Sequence, residues 1–280
     1  RRNHYFKINE KANLNSTVMY QFGKIANSNI DDQNANSPDP TYYRKMPSYY
    51  SSLYAPDNGE YSGAFTPDYE NAEKSKAKFL AHPQIDWTAL YRANQNPIFD
   101  GNGTISGYEP AKSKYVLYED QVEDETVAAT TNWSAQLSEN TFLDAGAAFK
   151  KLKSHNSQQL LDLLGGSCFE DIDAFYNGDQ SQSDLNNPDR QVGVGDTYGY
   201  NYNYFATTLE AFTQFKFTYN KVDFYLAQHF ARADYQREGL YKNGIYATNS
   251  FGKSEKVALE HFGFTAGFKL KSSGTQSVPF

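Results

Sequence analysis

From Asn13 the chain alternates. Leu14, Val18, Tyr20 and Phe22 fall on one side, and Asn13, Asn15, Thr17 and Gln21 on the other, with Ser16 and Met19 out of pattern. A period of two predicts a strand with unlike faces. The cleanest case starts at Thr126: Val127, Ala129, Thr131, Trp133, Ala135 and Leu137 oppose Ala128, Thr130, Asn132, Ser134 and Gln136. A turn, Ser138-Glu139-Asn140, follows, and the chain returns with Leu143, Ala145, Ala147 and Phe149 opposite Asp144, Gly146, Ala148 and Lys150. Downstream, Phe205, Thr207, Leu209, Ala211, Thr213, Phe215 and Phe217 alternate with Tyr204, Ala206, Thr208, Glu210, Phe212, Gln214 and Lys216. After Tyr219-Asn220-Lys221 come Val222, Phe224, Leu226 and Phe230. The last run places Phe262, Phe264, Ala266, Phe268 and Leu270 against His261, Gly263, Thr265, Gly267 and Lys269, ending at Ser272-Ser273-Gly274. A further turn is predicted at Asn9-Glu10-Lys11-Ala12.

These strands run about ten residues or more, against about 5–6 in globular proteins, and a membrane-crossing strand needs about 9–11. Phe22, Phe149, Phe215, Phe217 and Phe268 fall near strand ends, where an aromatic girdle would lie. The connections are asymmetric. One end has turns of three or four residues. The other has segments of roughly 90, 45 and 20 residues, at about 26–114, 154–199 and 238–255. The expected fold class is therefore all-β, a segment of a transmembrane antiparallel β-barrel with long extracellular loops. Alternation alone fits a large soluble antiparallel barrel or sandwich equally well; strand length and loop asymmetry favour the membrane barrel.

Composition narrows the classes. Among 280 residues, Lys and Arg number 26 and Asp and Glu 33, a formal net charge of -7. An acidic balance argues against nucleic acid as a partner. The one cysteine, Cys168, excludes an internal disulfide framework and any multi-cysteine metal site. With 23 Tyr and 20 Phe the chain is rich in aromatics, yet mean hydropathy is only -0.74, as suits strands that are wet on one face. No run of 18 apolar residues predicts a transmembrane helix, and no apolar stretch of a signal peptide follows Arg1-Arg2-Asn3-His4.

Catalytic chemistry is not legible. His4, His82, His155, His229 and His261 share no metal-ligand spacing, and there is no G-x-S-x-G or Walker loop. Gly193-Val194-Gly195 lacks the third glycine of a dinucleotide fingerprint. Cys168 has no basic neighbour to make it a nucleophile and reads as a bland loop residue. The carboxylates of Glu170-Asp171-Ile172-Asp173 could ligate Ca²⁺; without the glycine and distal glutamate of a calcium loop they read as solvated acids. Glu119-Asp120-Gln121-Val122-Glu123-Asp124-Glu125 reads as an acidic run entering a strand above the membrane plane. No enzyme activity, catalytic residue, metal or cofactor is expected. The first loop is richest in binding chemistry: Tyr42, Tyr43, Tyr49, Tyr50, Tyr54, Tyr61, Trp87 and Tyr91 mix with Arg44, Lys45 and Arg92. Rings with hydroxyls and nearby donors suit sugars, peptides or siderophores. Most should simply pack the loop, whose residues 71–81 and 86–94 read as short helices broken at Pro83. Tyr49, Tyr50, Trp87 and Arg92 are the candidates for facing a ligand.

Longer stretches carry a resemblance. Residues 132–156, Gln159-Leu160-Leu161-Asp162-Leu163-Leu164-Gly165-Gly166 and Gln182-Ser183-Asp184-Leu185-Asn186-Asn187-Pro188 are similar to a TonB-dependent receptor. So are Val222-Asp223-Phe224-Tyr225, Asp234 through Gly244, residues 248–256, Tyr49-Tyr50 and His82-Pro83-Gln84-Ile85-Asp86-Trp87. The resemblance implies an outer-membrane transporter of the type with about 22 strands around an N-terminal plug. This chain would then supply about seven strands of one barrel domain, with the plug outside it. Apolar faces would meet the lipid bilayer, polar faces the lumen, and the loops a bulky nutrient such as a siderophore, oligosaccharide or peptide. Import would be driven by the TonB machinery through that plug, with a surface lipoprotein or a larger outer-membrane complex as further partners. A non-transporting surface β-protein that binds glycans, and a structural subunit of an outer-membrane complex, are the alternative readings.

Overall fold

The computed structural model describes residues 1–33, 35–51 and 67–271. Tyr54, Tyr61 and the turn expected at Ser272-Ser273-Gly274 lie outside them. The chain is mostly antiparallel sheet. Strands β1 (Arg2–Asn9) and β2 (Ala12–Asp31) form a hairpin. The first long connection then holds helices α1 (Pro47–Ser51), α2 (Tyr69–Ala81) and α3 (Trp87–Ala93) and a hairpin of β3 (Gln95–Phe99) with β4 (Ile105–Pro110). Strands β5 (Val116–Gln136) and β6 (Thr141–Asp162) follow. The second connection contains the short pair β7 (Phe169–Glu170) and β8 (Gln191–Val192). The chain ends with β9 (Thr197–Thr218), β10 (Val222–Gly239), β11 (Gly252–Lys253) and β12 (Val257–Leu270).

The long strands pair in sequence order, β1-β2-β5-β6-β9-β10-β12, every pair antiparallel, with β11 pairing the end of β10 beyond β12. The three predicted turns that fall within the described residues stand where expected, at one end of the sheet. At the other end the expected loops are shorter than predicted: β2 runs to Asp31, β6 to Asp162, and β9 starts at Thr197, leaving 32–115, 163–196 and 240–256 as connections. Residues 154–159 read as loop, and 119–125 as an acidic run entering a strand, because nearly all of them are polar on both sides, which hides the period. The predicted helices hold. Asp68 caps α2 by accepting from the Asn71 N–H at 2.9 Å, and Asp86 caps α3 through the Ala89 N–H at 3.0 Å, each supplying an acceptor to a free first-turn donor.

Directly paired residues share a face, so the register sorts every side chain. One face carries Leu14, Val18, Tyr20 and Phe22 on β2, Trp133, Ala129 and Val127 on β5, and Leu143, Ala145, Ala147 and Phe149 on β6. It continues with Phe215, Ala211 and Leu209 on β9, Leu226 and Phe230 on β10, and Ala266, Phe264 and Phe262 on β12. This apolar belt ends abruptly. The first polar residues above it from β2 to β12 are Lys24, Glu125, Lys151, Thr207, Arg232 and Glu260, charged on every strand but β9, where Thr207 is followed by Phe205. The border is oblique to the pairing: Phe22 pairs Glu125, Val127 pairs Lys151, and Leu209 pairs Arg232. Traced through the register, it drops six residues in five strand-to-strand steps. From β2 to β12 the polar groups inside the belt include two pairs, Gln228 Nε2 donating to Thr213 Oγ1 at 2.9 Å and Ser16 Oγ lying 3.0 Å from Thr131 Oγ1; β1 departs from the pattern, with Arg2 opposite Val18 and His4 opposite Ser16 on this face.

The belt is bare: Phe22 is 74% exposed, Phe262 67% and Phe264 66%. The opposite face is polar over the same height, with Asn13, Asn15, Asn132, Ser134, Asp144 and Gln214. The buried hydrophobic clusters sit instead at the loop end. Phe169 and Val192 of the β7–β8 pair cover Val116, Leu160 and Tyr198 on the polar face, and Leu90 packs with Tyr115 and Leu164.

Candidate ligand-binding face

The loops form one folded cap. Asn94, at the end of α3, is fully buried and joins three segments. Its Nδ2 donates to the carbonyls of Tyr115 at 2.7 Å, Leu163 at 2.9 Å and Leu164 at 3.2 Å, and its Oδ1 accepts from the Lys114 and Tyr115 N–H groups at 2.8 and 3.1 Å. All of the side chain's hydrogen-bonding capacity is used on backbone, which is how a buried amide avoids a desolvation penalty.

The second and third connections are locked together by two carboxylates. Asp171, whose side chain is 1% exposed, accepts from Arg190 Nε at 3.0 Å, from Arg190 Nη2, and from the Gly199 N–H at 2.7 Å. Arg190 also donates to the Thr197 carbonyl at 2.6 Å and to the Tyr241 hydroxyl at 2.8 Å, with its guanidinium 4.9 Å from that ring. Burial alone would lower the Arg190 pKa, but these partners hold it above its usual value. Asp184 accepts from the Lys242 N–H at 2.9 Å, the Asn186 N–H at 3.1 Å and the Asn187 amide at 2.8 Å. Burial works to raise its pKa; the donors outweigh it and keep the carboxyl below the usual range. Gly244 sits so close to the Asp179 carbonyl that no Cβ fits there.

The cluster read as solvated acids is therefore mostly engaged. Glu170 pairs with Lys112, Asp171 with Arg190, and Asp173 accepts from the Phe175 N–H at 3.0 Å. Gly193-Val194-Gly195 forms the turn into β9, with Gly195 at φ +90°. Cys168 contributes its carbonyl to the Ser113 N–H at 2.8 Å.

The four sequence candidates do not converge on one site. Tyr49 and Tyr50 belong to an edge-to-face series, Tyr42–Tyr43 at 4.8 Å, Tyr43–Tyr49 at 5.7 Å and Tyr49–Tyr50 at 5.3 Å, beside α2. Both are half-buried, as packing residues are. Trp87 and Arg92 lie on α3, five residues apart and so on different sides of the helix. Arg92 is occupied: it donates to the Tyr108 hydroxyl at 2.6 Å with its guanidinium 4.2 Å from that ring. Trp87 is exposed. Tyr91 packs against Gly165 of the second connection.

The wall beneath the cap was not read from the sequence. Tyr200, Tyr202 and Tyr204 project from β9 at every second residue on the polar face, continuing from the buried Tyr198. Tyr200 and Tyr202 lie 5.9 Å apart, and Tyr204 stacks on Tyr235 of β10 at 6.1 Å. Arg237 lies 4.8 Å from the Tyr202 ring, and the Tyr200 hydroxyl donates to Asp120 at 2.7 Å. The signal was present in Tyr198-Gly199-Tyr200-Asn201-Tyr202-Asn203-Tyr204, whose period of two crosses the expected end of the loop at about 199 and runs into the strand that was expected to carry Tyr204 on its polar side. The chain matches no known family model and no curated protein.

Proposed function

We propose that this chain is part of an outer-membrane β-barrel of the TonB-dependent receptor class, serving energised uptake of a bulky nutrient. The observation that carries the reading is the oblique border of the apolar belt. A drop of six residues in five steps, at about 3.3 Å per residue and about 4.8 Å between strands, corresponds to strands tilted about 40° from the normal of that border. Barrel strands in membranes tilt about 35–45°. The belt, about nine residues tall along each strand, then stands about 23 Å high, against the apolar band of about 25 Å on such barrels. A soluble sandwich covers its apolar face with a second sheet and has no need of a level border.

In this arrangement the belt faces lipid, the polar face lines the lumen, and the strands rise beyond the outer leaflet into the cap. The short turns face the periplasm. The family resemblance adds the transport step, with the TonB machinery acting through a plug outside this chain. The test is fractionation of native cells together with sequencing of the intact polypeptide that carries this segment. Recovery in the outer membrane, with a plug region in the same polypeptide, supports the reading. Recovery as a soluble protein overturns it and favours a surface β-protein.

A further inference from the structure

We propose that the wall formed by Tyr200, Tyr202, Tyr204 and Tyr235 with Arg237 and Asp120 is a binding site for a neutral oligosaccharide. The inference rests on the barrel reading, since it takes the polar face as the lumen. Three features point to this class of ligand.

The first is the alternation of ring and planar polar group. Aromatic faces stack on the apolar C–H face of a pyranose, while carboxylate, amide and guanidinium groups hydrogen-bond its hydroxyls in pairs. Here the tyrosines stand beside Asp120, Asn156 and Arg237, all on the same face. Tyr204 is 37% exposed, leaving ring surface open. The second is charge. Asp120 and Asp124 face a single Arg237 along this stretch, so the wall has no net positive charge with which to hold an anion such as an acidic peptide or an anionic ferric chelate. The third is placement. The wall begins directly below the cap residues Phe169 and Val192, which pack on Tyr198, and further rings continue down the same face at Phe212 and Tyr225. Successive rings along a path let a chain of sugars move from one platform to the next.

The full polypeptide, inserted in phospholipid vesicles, is titrated with α- and β-linked neutral hexose hexamers, with oligogalacturonate as the charged probe and with a neutral hexapeptide. Insertion is verified first, by protease protection and flotation; failure there strikes the barrel reading rather than this one. The expected result is saturable binding of at least one neutral hexamer, weakened at least tenfold by Tyr202→Ala with Tyr204→Ala and left unchanged by Tyr219→Ala in the exposed turn at the other end of the sheet. Loss of about tenfold is about 1.4 kcal/mol, within the range for one or two stacking contacts. Tyr204→Phe, which keeps the ring, retains most of the affinity and excludes misfolding as the cause. Inserted protein that binds no neutral hexamer, or prefers the charged probe or the peptide, overturns the proposal, as does binding indifferent to the tyrosine pair.

Discussion

Phe212 lies against the bare backbone of Gly146. The two are direct partners across β6 and β9, and a Cβ built on Gly146 would come within 2.5 Å of the Phe212 ring and closer still to Asn132 Oδ1. The ring fills the space a side chain would take, and the glycine gains an apolar cover it lacks by itself. Gly146→Ala is expected to lower folding stability by about 1–3 kcal/mol through overpacking. Combining it with Phe212→Ala should recover part of that loss, a coupling of about 1 kcal/mol read from urea titrations of the four variants in lipid vesicles. Additive effects would show that the contact is not made.

The belt predicts where a charge is tolerated. Ala147→Arg, in the middle of the apolar stretch of β6, should cost about 2–4 kcal/mol in lipid. Thr207→Arg, just above the border on β9, should cost about 0–1 kcal/mol. Equal effects at the two positions would count against a lipid-facing belt. Ala135, although on the same face, is a poorer choice, because it is buried beside the 137–140 turn.

Asn94 predicts the integrity of the cap. Asn94→Leu is close in volume but leaves the Tyr115, Leu163 and Leu164 carbonyls and two N–H groups without their partner. Each buried orphan costs about 1–3 kcal/mol. The expected outcome is faster amide exchange across 85–115 and 163–168 with the long strands unaffected, read by hydrogen-exchange mass spectrometry.

Acid should open the lock between the second and third connections. The Asp184 carboxyl is held below its usual value by its donors. A depressed folded pKa contributes stability that is complete above the unfolded pKa, about 3.9, and is lost as pH falls through the folded value. Protease resistance of 240–256 should therefore stay level from pH 8 to about 4 and fall below it. Asp184→Asn should show the weakened state already at pH 7.

The sheet was legible where the surroundings differ on its two sides. Between Thr126 and Phe149, or Phe205 and Phe230, one face is apolar and the other polar, so the period shows. Above the border both faces are polar: Ser154, His155, Asn156, Ser157 and Gln158 carry no contrast, and the strand through them passed for a loop. The cap was legible in its helices, through Asp68, Asp86 and Pro83, because capping is local. The Asp171–Arg190 and Asp184–Lys242 pairings join residues 19 and 58 positions apart, which no local pattern announces. Candidate ligand residues were sought in the loop richest in aromatics, where the structure uses most of them for packing.

Asn94, Arg190 and Asp184 tie all three long connections to one another, and this has a kinetic consequence. A loop that is independent can flicker open in nanoseconds to microseconds, whereas units that share buried hydrogen bonds open together and less often. On the proposed uptake reading, a solute coming from outside would wait for a concerted event. The frequency of that event, more than diffusion to the surface, would set the rate of admission, and loosening any one tie would raise it for all three connections at once.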